Sequence, residues 1–278
     1  MLKLINIELY KIFTQKRSYI GLAAILVIVL VAQGAMLWEG QAMHEFITKN
    51  LSDAFFMYGN LVNGYLISFL VLNFLWVHVP LLVVIVTGDI FSGEAQSGTF
   101  RLLLTRPVSR SGLVTAKFIA GIVYTFVLMI FFAIISLGIS LIWFGKGDLM
   151  VIFNSVSILP EDDLLWRFIL AYVYGFIGMT AIAALSMLFS AMANNSLGPI
   201  LTTMAIIILF TMISSFNLSI FAAIQPFLIT SYLDSWQLVF SFEVDTGQII
   251  FDASVLLLHI LVFYFITLVY FNRKDILT

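Results

Sequence analysis

The side chains with chemistry to offer are few, and most fall in one run between two long apolar stretches. From Gly88 to Lys117 the sequence carries Glu94, Arg101, Arg106, Arg110 and Lys117, which concentrates four of the chain's 13 basic residues in one connection. The punctuation around them is specific. Ser92 is placed to cap a short helix with Glu94 in its first turn, where an acid favours the helix N-terminus and is free to pair with a partner's cation. Gly98 permits a bend or a close approach, Thr99 begins a second helix, and Pro107 stops it. Ser109 or Ser111 then caps a long apolar helix. Two short helices meeting at a corner are predicted, and their chemistry is docking and positioning rather than bond making.

Bond-making constellations are missing from the sequence. The three histidines, His44, His78 and His259, form no His-Glu-x-x-His pattern that could hold zinc on one helix face. No Gly-x-Ser-x-Gly elbow occurs, and with 0 cysteines there is neither a thiolate nor a disulfide. The Gly145-Lys146 pair lacks the upstream glycine of a phosphate cradle. The expectation is therefore no enzyme activity, no catalytic, cofactor or metal site, and, if ATP is the energy source, ATP and magnesium bound by another chain.

The elements that must position the polar run are membrane spans. The chain is 62% hydrophobic and 10% charged, against roughly 25% charged residues in soluble proteins, and its mean hydropathy is +1.10. Residues 1–17 form a predicted interfacial helix with Leu2, Ile5, Leu9, Ile12 and Phe13 on one face and Lys3, Asn6, Lys11 and Thr14 opposite. It reads either as an elbow touching an ATPase or as a basic anchor. Spans are expected at Ser18–Leu37, Leu61–Val86, Leu113–Phe144, Trp166–Met192, Leu197–Phe216 and Ile249–Phe271, with Pro80 kinking the second. Ile220 to Ile229 is apolar but too short to cross and contains Pro226, so it should re-enter or lie on the surface. The fold class is all-α: one polytopic domain, residues 1–278, with six spans.

Charge sets the orientation. Lys3, Lys11, Lys16, Arg17, Arg101, Arg106, Arg110, Lys117, Arg273 and Lys274 fall on one side, and only Lys49, Lys146 and Arg167 on the other. Of the 15 acids, Glu8, Asp89, Glu94 and Asp275 share the basic side. Basic residues mark the cytoplasmic face, so both termini are expected inside. Within the spans, Asn73, His78 and His259 are polar at depth; they would line a path, or make interhelical hydrogen bonds.

Glu94, Gly98, Thr99, the leucines 102 to 104, then Thr105, Arg106, Pro107, Val108, Ser109, Arg110 and, seven residues on, Lys117 resemble the loop after the second span in permease subunits of type-2 ABC exporters. The short motif covers this loop, and the six-span layout extends the resemblance over the chain. The resemblance implies that the loop, residues 88–112, is a coupling-helix pair seated on an ATP-binding cassette subunit, with Glu94, Gly98, Thr99, Arg101, Arg106, Pro107, Ser109 and Arg110 at the contact. It also implies short helices dipping into the outer leaflet before the last span, a bacterial cytoplasmic membrane, and a second permease copy as partner. Lipid is a partner and nucleic acid is not. The rival reading is a non-transporting assembly or anchoring protein in which the basic loop only sets topology.

Overall fold

The computed structural model describes residues 1–39, 62–100, 108–152, 156–215 and 219–274. Helix α1 (Leu2–Thr14) ends where Gln15 turns extended, at φ −79° and ψ 133°, and α2 (Lys16–Trp38) starts at once. The carbonyls freed by the break are taken up from α2. Ser18 Oγ donates to Ile12 O at 2.5 Å and Tyr19 OH to Phe13 O at 2.9 Å.

The predicted second span is two helices, α3 (Gly64–Trp76) and α4 (Val79–Thr87), broken at Val77 and His78. Val77 and His78 keep helical backbone angles across the break, and Pro80, in the first turn of α4, has no N–H with which to continue the ladder, so the interruption falls where the proline was expected to disturb the span. Leu61, the expected start, lies outside the described residues. Asn63 caps α3 by accepting from the amides of Tyr65 and Leu66, at 3.0 and 3.1 Å. A five-residue helix α5 (Ser92–Gln96) follows. The third crossing runs through α6 (Arg110–Ala133), a π-helical turn (Ile134–Gly138) and α7 (Ile139–Phe144).

Next come an antiparallel hairpin, β1 (Leu149–Ile152) and β2 (Val156–Leu159), and α8 (Leu164–Met192), the central helix. After α9 (Leu197–Ser215) come short 3-10 turns, α10 (Thr230–Leu233), a 3-10 stretch over Asp234–Phe240, and α11 (Thr246–Arg273).

Among the described residues six stretches are long and apolar enough to cross a membrane: Lys16–Trp38, Val79–Gln96, Arg110–Phe144, Glu161–Met192, Leu197–Ser215 and Thr246–Arg273. The chain is an all-α, multi-pass membrane protein. Packing assigns the second crossing to α3 and α4 together. Gly64 N donates to Gly145 O at 2.8 Å, and Lys117 Nζ donates to Ile90 O at 3.0 Å, so residues 64–90 run antiparallel along the third crossing from one end to the other. Gly64 makes the approach feasible, because a Cβ there would lie 2.6 Å from the carbonyl oxygens of Ser140 and Gly145.

The start of α2, the turn after α4, the start of α6, the turn between α8 and α9, and the end of α11 all meet at one end, which carries most of the cations. Arg110 links α6 to the carbonyls of Phe271, Asn272 and Lys274, and Gln96 links α5 to Ser196. The opposite end carries Asp148, Glu161, Asp162 and Asp163. There Arg167, nearly buried, donates to Asp163 and to the carbonyls of Val239 and Ser241. Trp166 donates its indole N–H to the same Asp163 carboxylate.

Aromatic rings interlock within a mainly aliphatic core. Trp236 meets Trp76 at 5.1 Å between centroids, and Phe240 packs on Phe69 and Phe168. Of the two readings of Ile220 to Ile229, surface placement fits most of it, since Ile220, Ile224 and Phe227 are exposed, and the deep segment before the last crossing is 230–240. Leu233 sits against Gly178, near the middle of α8, at 2.8 Å from where a Cβ would be.

Candidate functional site

At the basic end the structure forms a cleft of about 870 Å³, bordered by α1, the turn after α4, the start of α6 and Ser196. Its chemistry is an ion-pair cluster joining three elements. Lys117 Nζ lies 2.8 Å from Glu8 Oε2 and 2.9 Å from Glu94 Oε1, while Lys11 Nζ lies 2.8 Å from Glu8 Oε1 and 2.6 Å from Glu94 Oε1. Glu8 is 3% exposed and Lys117 1%. Lys117 also stands over the rings of Phe91 and Phe100, at 5.6 and 5.9 Å. Beside it Arg17 pairs with Asp89 at 2.7 Å. Two acids share two lysines, so the inner cluster is neutral and internally compensated.

Burial pushes the Glu8 carboxyl up, but Lys117 close by and hydrogen bonds from both lysines outweigh it and hold the group below its ordinary 4.5. For Lys11, burial pushes down, and hydrogen bonds to Glu8 and Glu94 outweigh it and raise the ammonium above 10.5. Both shifts favour the charged forms of Glu8 and Lys11.

Helix α5 is held by its neighbours. Ser92 does not cap it: Phe91 occupies the cap position, and Ser92 Oγ instead donates to Gly88 O at 2.7 Å. The cap comes from α8, where Ser190 Oγ accepts from the amides of Phe91 and Ser92 at 3.0 and 2.9 Å. Gln96 Oε1 accepts from Ser196 N and Oγ at 3.0 and 2.8 Å. Gly98 follows with φ +70°, and among the described residues nothing lies within 4 Å of its missing Cβ. Its role is the corner, since no close approach exists there.

The sequence-predicted residues are thus partly assembled. Glu94 lies in the first turn of α5 but faces inward to Lys11 and Lys117 instead of offering itself to a partner cation. Thr99 accompanies Gly98 at the corner, its hydroxyl within 3.0 Å of Ser97 Oγ. Ser109 caps α6, accepting from Gly112 N at 3.1 Å. Arg110 closes the C-terminus of α11, at 2.7 Å from Lys274 O. Arg101, Arg106 and Pro107 lie outside the described residues.

The polar groups at depth are engaged in hydrogen bonds. Asn73 Nδ2 donates to Phe69 O at 2.9 Å, and its Oδ1 accepts from Gln237 at 3.1 Å. The Nδ1 atoms of His78 and His259 lie 2.9 and 2.8 Å from the carbonyls of Phe74 and Val255, one turn back on the chain, and His259 Nε2 lies 3.2 Å from Phe227 O. Among the described residues no group of three or more His, Asp or Glu could hold a metal ion.

The profile of a family described as "Protein of unknown function (DUF2705)" matches residues 24–277. The chain belongs to the DUF2705 family. The match takes in Asp89, Glu94, Gly98 and Lys117, and starts after α1 with Glu8 and Lys11. The "Uncharacterized protein YhcI" of Bacillus subtilis (strain 168) is 25% identical over 121 residues, 42% of this chain and 38% of that protein. The aligned part therefore spans well under half of that relative.

The cluster residues of this DUF2705 protein that sequence reasoning missed are Glu8, Lys11, Gln96 and Ser190. One signal was available: Glu8 and Lys11 stand three apart on a helix, and Glu8, Asp89 and Glu94 are three of only four acids on the basic side. Ser190 carried no signal, because a serine in an apolar helix usually bonds its own backbone.

Proposed function

We propose that this DUF2705 protein is the membrane-spanning subunit of an ATP-driven exporter, powered by a separate ATP-binding cassette subunit that docks on the corner at Gly98. The observation that carries this reading is the combination of a bare corner and a fully braced base. Residues 88–99 are tied by side chains to α1, α6, α8 and Ser196, yet Gly98 is exposed and, among the described residues, a Cβ there would meet nothing within 4 Å. A loop that only set topology would need its cations near the membrane and no such bracing. A contact that passes a partner's movement to the spans needs a rigid base and an open tip.

In this reading the basic end faces the cytoplasm of a bacterium, both termini with it. Helix α1 lies in the inner headgroup region, with Leu2, Ile7 and Tyr10 turned outward. The 230–240 segment is the re-entrant element of the outer leaflet, and two copies form the translocation path. The bare apolar faces of α2, α9 and α11 leave room for that pairing. ATP and magnesium are bound by the partner subunit.

The test places bulk at the corner. Ser97→Trp and Gly98→Trp, in membranes with the cognate ATP-binding subunit, should abolish recruitment and stimulated ATP turnover while subunit abundance is retained; Ile158→Ala, at the opposite end, should change neither. Full recruitment and turnover in both corner variants would overturn the coupling role and leave the anchoring reading.

A further inference from the structure

We propose that the furrow between the third and fourth crossings is a binding site for one lipid acyl chain, open at the acidic end and closed at the other. The furrow has a volume of about 550 Å³ and is walled by residues 126–141 of α6, the π turn and α7, and by residues 169–176 of α8. Its lining is apolar apart from Tyr172, whose hydroxyl turns away into the core to meet Ser136 Oγ at 2.5 Å. Nothing in the furrow offers a hydrogen bond, and it lies within two of the membrane-crossing stretches. Hydrocarbon is the chemistry it accepts.

Shape distinguishes a chain from a helix. Phe126 and Phe176 meet edge to face at 5.3 Å and dam the inner end. Beyond the outer end of the lining the same two walls carry Trp143 and Trp166, both exposed, where indoles mark the headgroup level. A helix from another protein runs on past any point along a crossing and does not suit a blind furrow, whereas an acyl chain ends in a methyl group. At 1.5 Å per residue the walls measure roughly 22 Å along the third crossing and roughly 10 Å along α8, which bracket the ~15 Å hydrocarbon depth of one leaflet.

The π turn contributes Ile134, Leu137 and Gly138 to one wall. Gly138 has nothing within 4 Å of the place a Cβ would take and an ordinary helical backbone, so a side chain there would project into free space of the furrow. Val173, half exposed, faces the same space from α8.

The experiment reconstitutes the full chain in nanodiscs of phosphatidylethanolamine and phosphatidylglycerol containing a phospholipid with a diazirine on its acyl chain. Labelled peptides are quantified after irradiation. Peptides 126–141 and 169–176 should carry label above the level on the lipid-facing surfaces of α9 and α11. Gly138→Leu and Val173→Phe, which fill the furrow from opposite walls, should each lower furrow labelling about tenfold, the effect of displacing roughly two buried methylenes, with α9 and α11 unchanged. Thermal melts check that each variant is folded, and either one alone suffices. Furrow labelling no higher than on α9 and α11, or unaffected in a folded variant, would overturn the proposal. So would efficient disulfide dimerisation of Val173→Cys, a clean probe in a chain with 0 cysteines, because a second copy would then occupy the furrow. None of these readouts depends on an ATP-binding subunit.

Discussion

Replacing Lys117 by methionine removes one charge from the centre of the basic end and keeps most of the side-chain volume, so the loss reports electrostatics rather than a cavity. Lys117 is bonded to Glu8, Glu94 and Ile90 O, at 2.8, 2.9 and 3.0 Å. Without it two acids depend on Lys11, whose side chain is 35% exposed. Breaking a buried pair from one side costs about 3–5 kcal/mol. Lys11 still compensates one of the two acids, so the lower figure applies, about 3 kcal/mol. Adding Glu8→Gln removes the uncompensated charge and leaves Lys11 with Glu94 alone, so the double variant should recover most of the loss, with a coupling of about 2 kcal/mol. Denaturant titration of all four proteins in mixed micelles measures this cycle. A Lys117→Met variant within about 0.5 kcal/mol of the parent would refute the cluster as a structural centre.

Two further perturbations probe the same architecture. The depressed Glu8 carboxyl contributes stability above its ordinary 4.5 that is lost as pH falls through the lower folded value, and the raised Lys11 contributes below 10.5 and loses it as pH rises through the higher one; these two contributions should be constant between those limits, and in melting midpoints against pH Glu8→Gln should lessen the acid-side fall. Gly64→Ala puts a methyl 2.6 Å from the carbonyls of Ser140 and Gly145 and should cost about 1–3 kcal/mol by overpacking, read as a lower unfolding midpoint; an unchanged midpoint would show that α3 and α7 are not in close contact.

Much of the fold was legible because the membrane imposes a one-dimensional rule: an apolar run of sufficient length must cross. The alternation of crossings follows, as do the two ends that Arg110 and Arg167 hold together. Boundaries depended on local chemistry and were less legible. Pro80 reads as a disturbance of the second span, but that the ladder stops at Trp76 and resumes at Val79 is seen only in the structure. The 230–240 segment gave no reading of its own, with Asp234 among its apolar residues, and Leu233, Trp236 and Phe240 carry it into the core.

The candidate site divides along a similar line. Gly98 and Ser109 act through their own backbone neighbourhood, and a backbone requirement is visible in a short window of sequence. Glu94 acts through Lys11 and Lys117, which stand 83 and 23 residues away along the chain, and no window contains them all. Read locally, an acid at the start of a short exposed helix is available to a partner. Packed against α1 and α6, the same acid is used up internally, and what is left for a partner is the corner that it braces. Under the proposed coupling role, the surface offered to a motor subunit would be defined less by the charges of the loop than by its stiffness. For that reason bulk at Ser97 and Gly98 tests docking, whereas charge reversal at Glu94 would test folding.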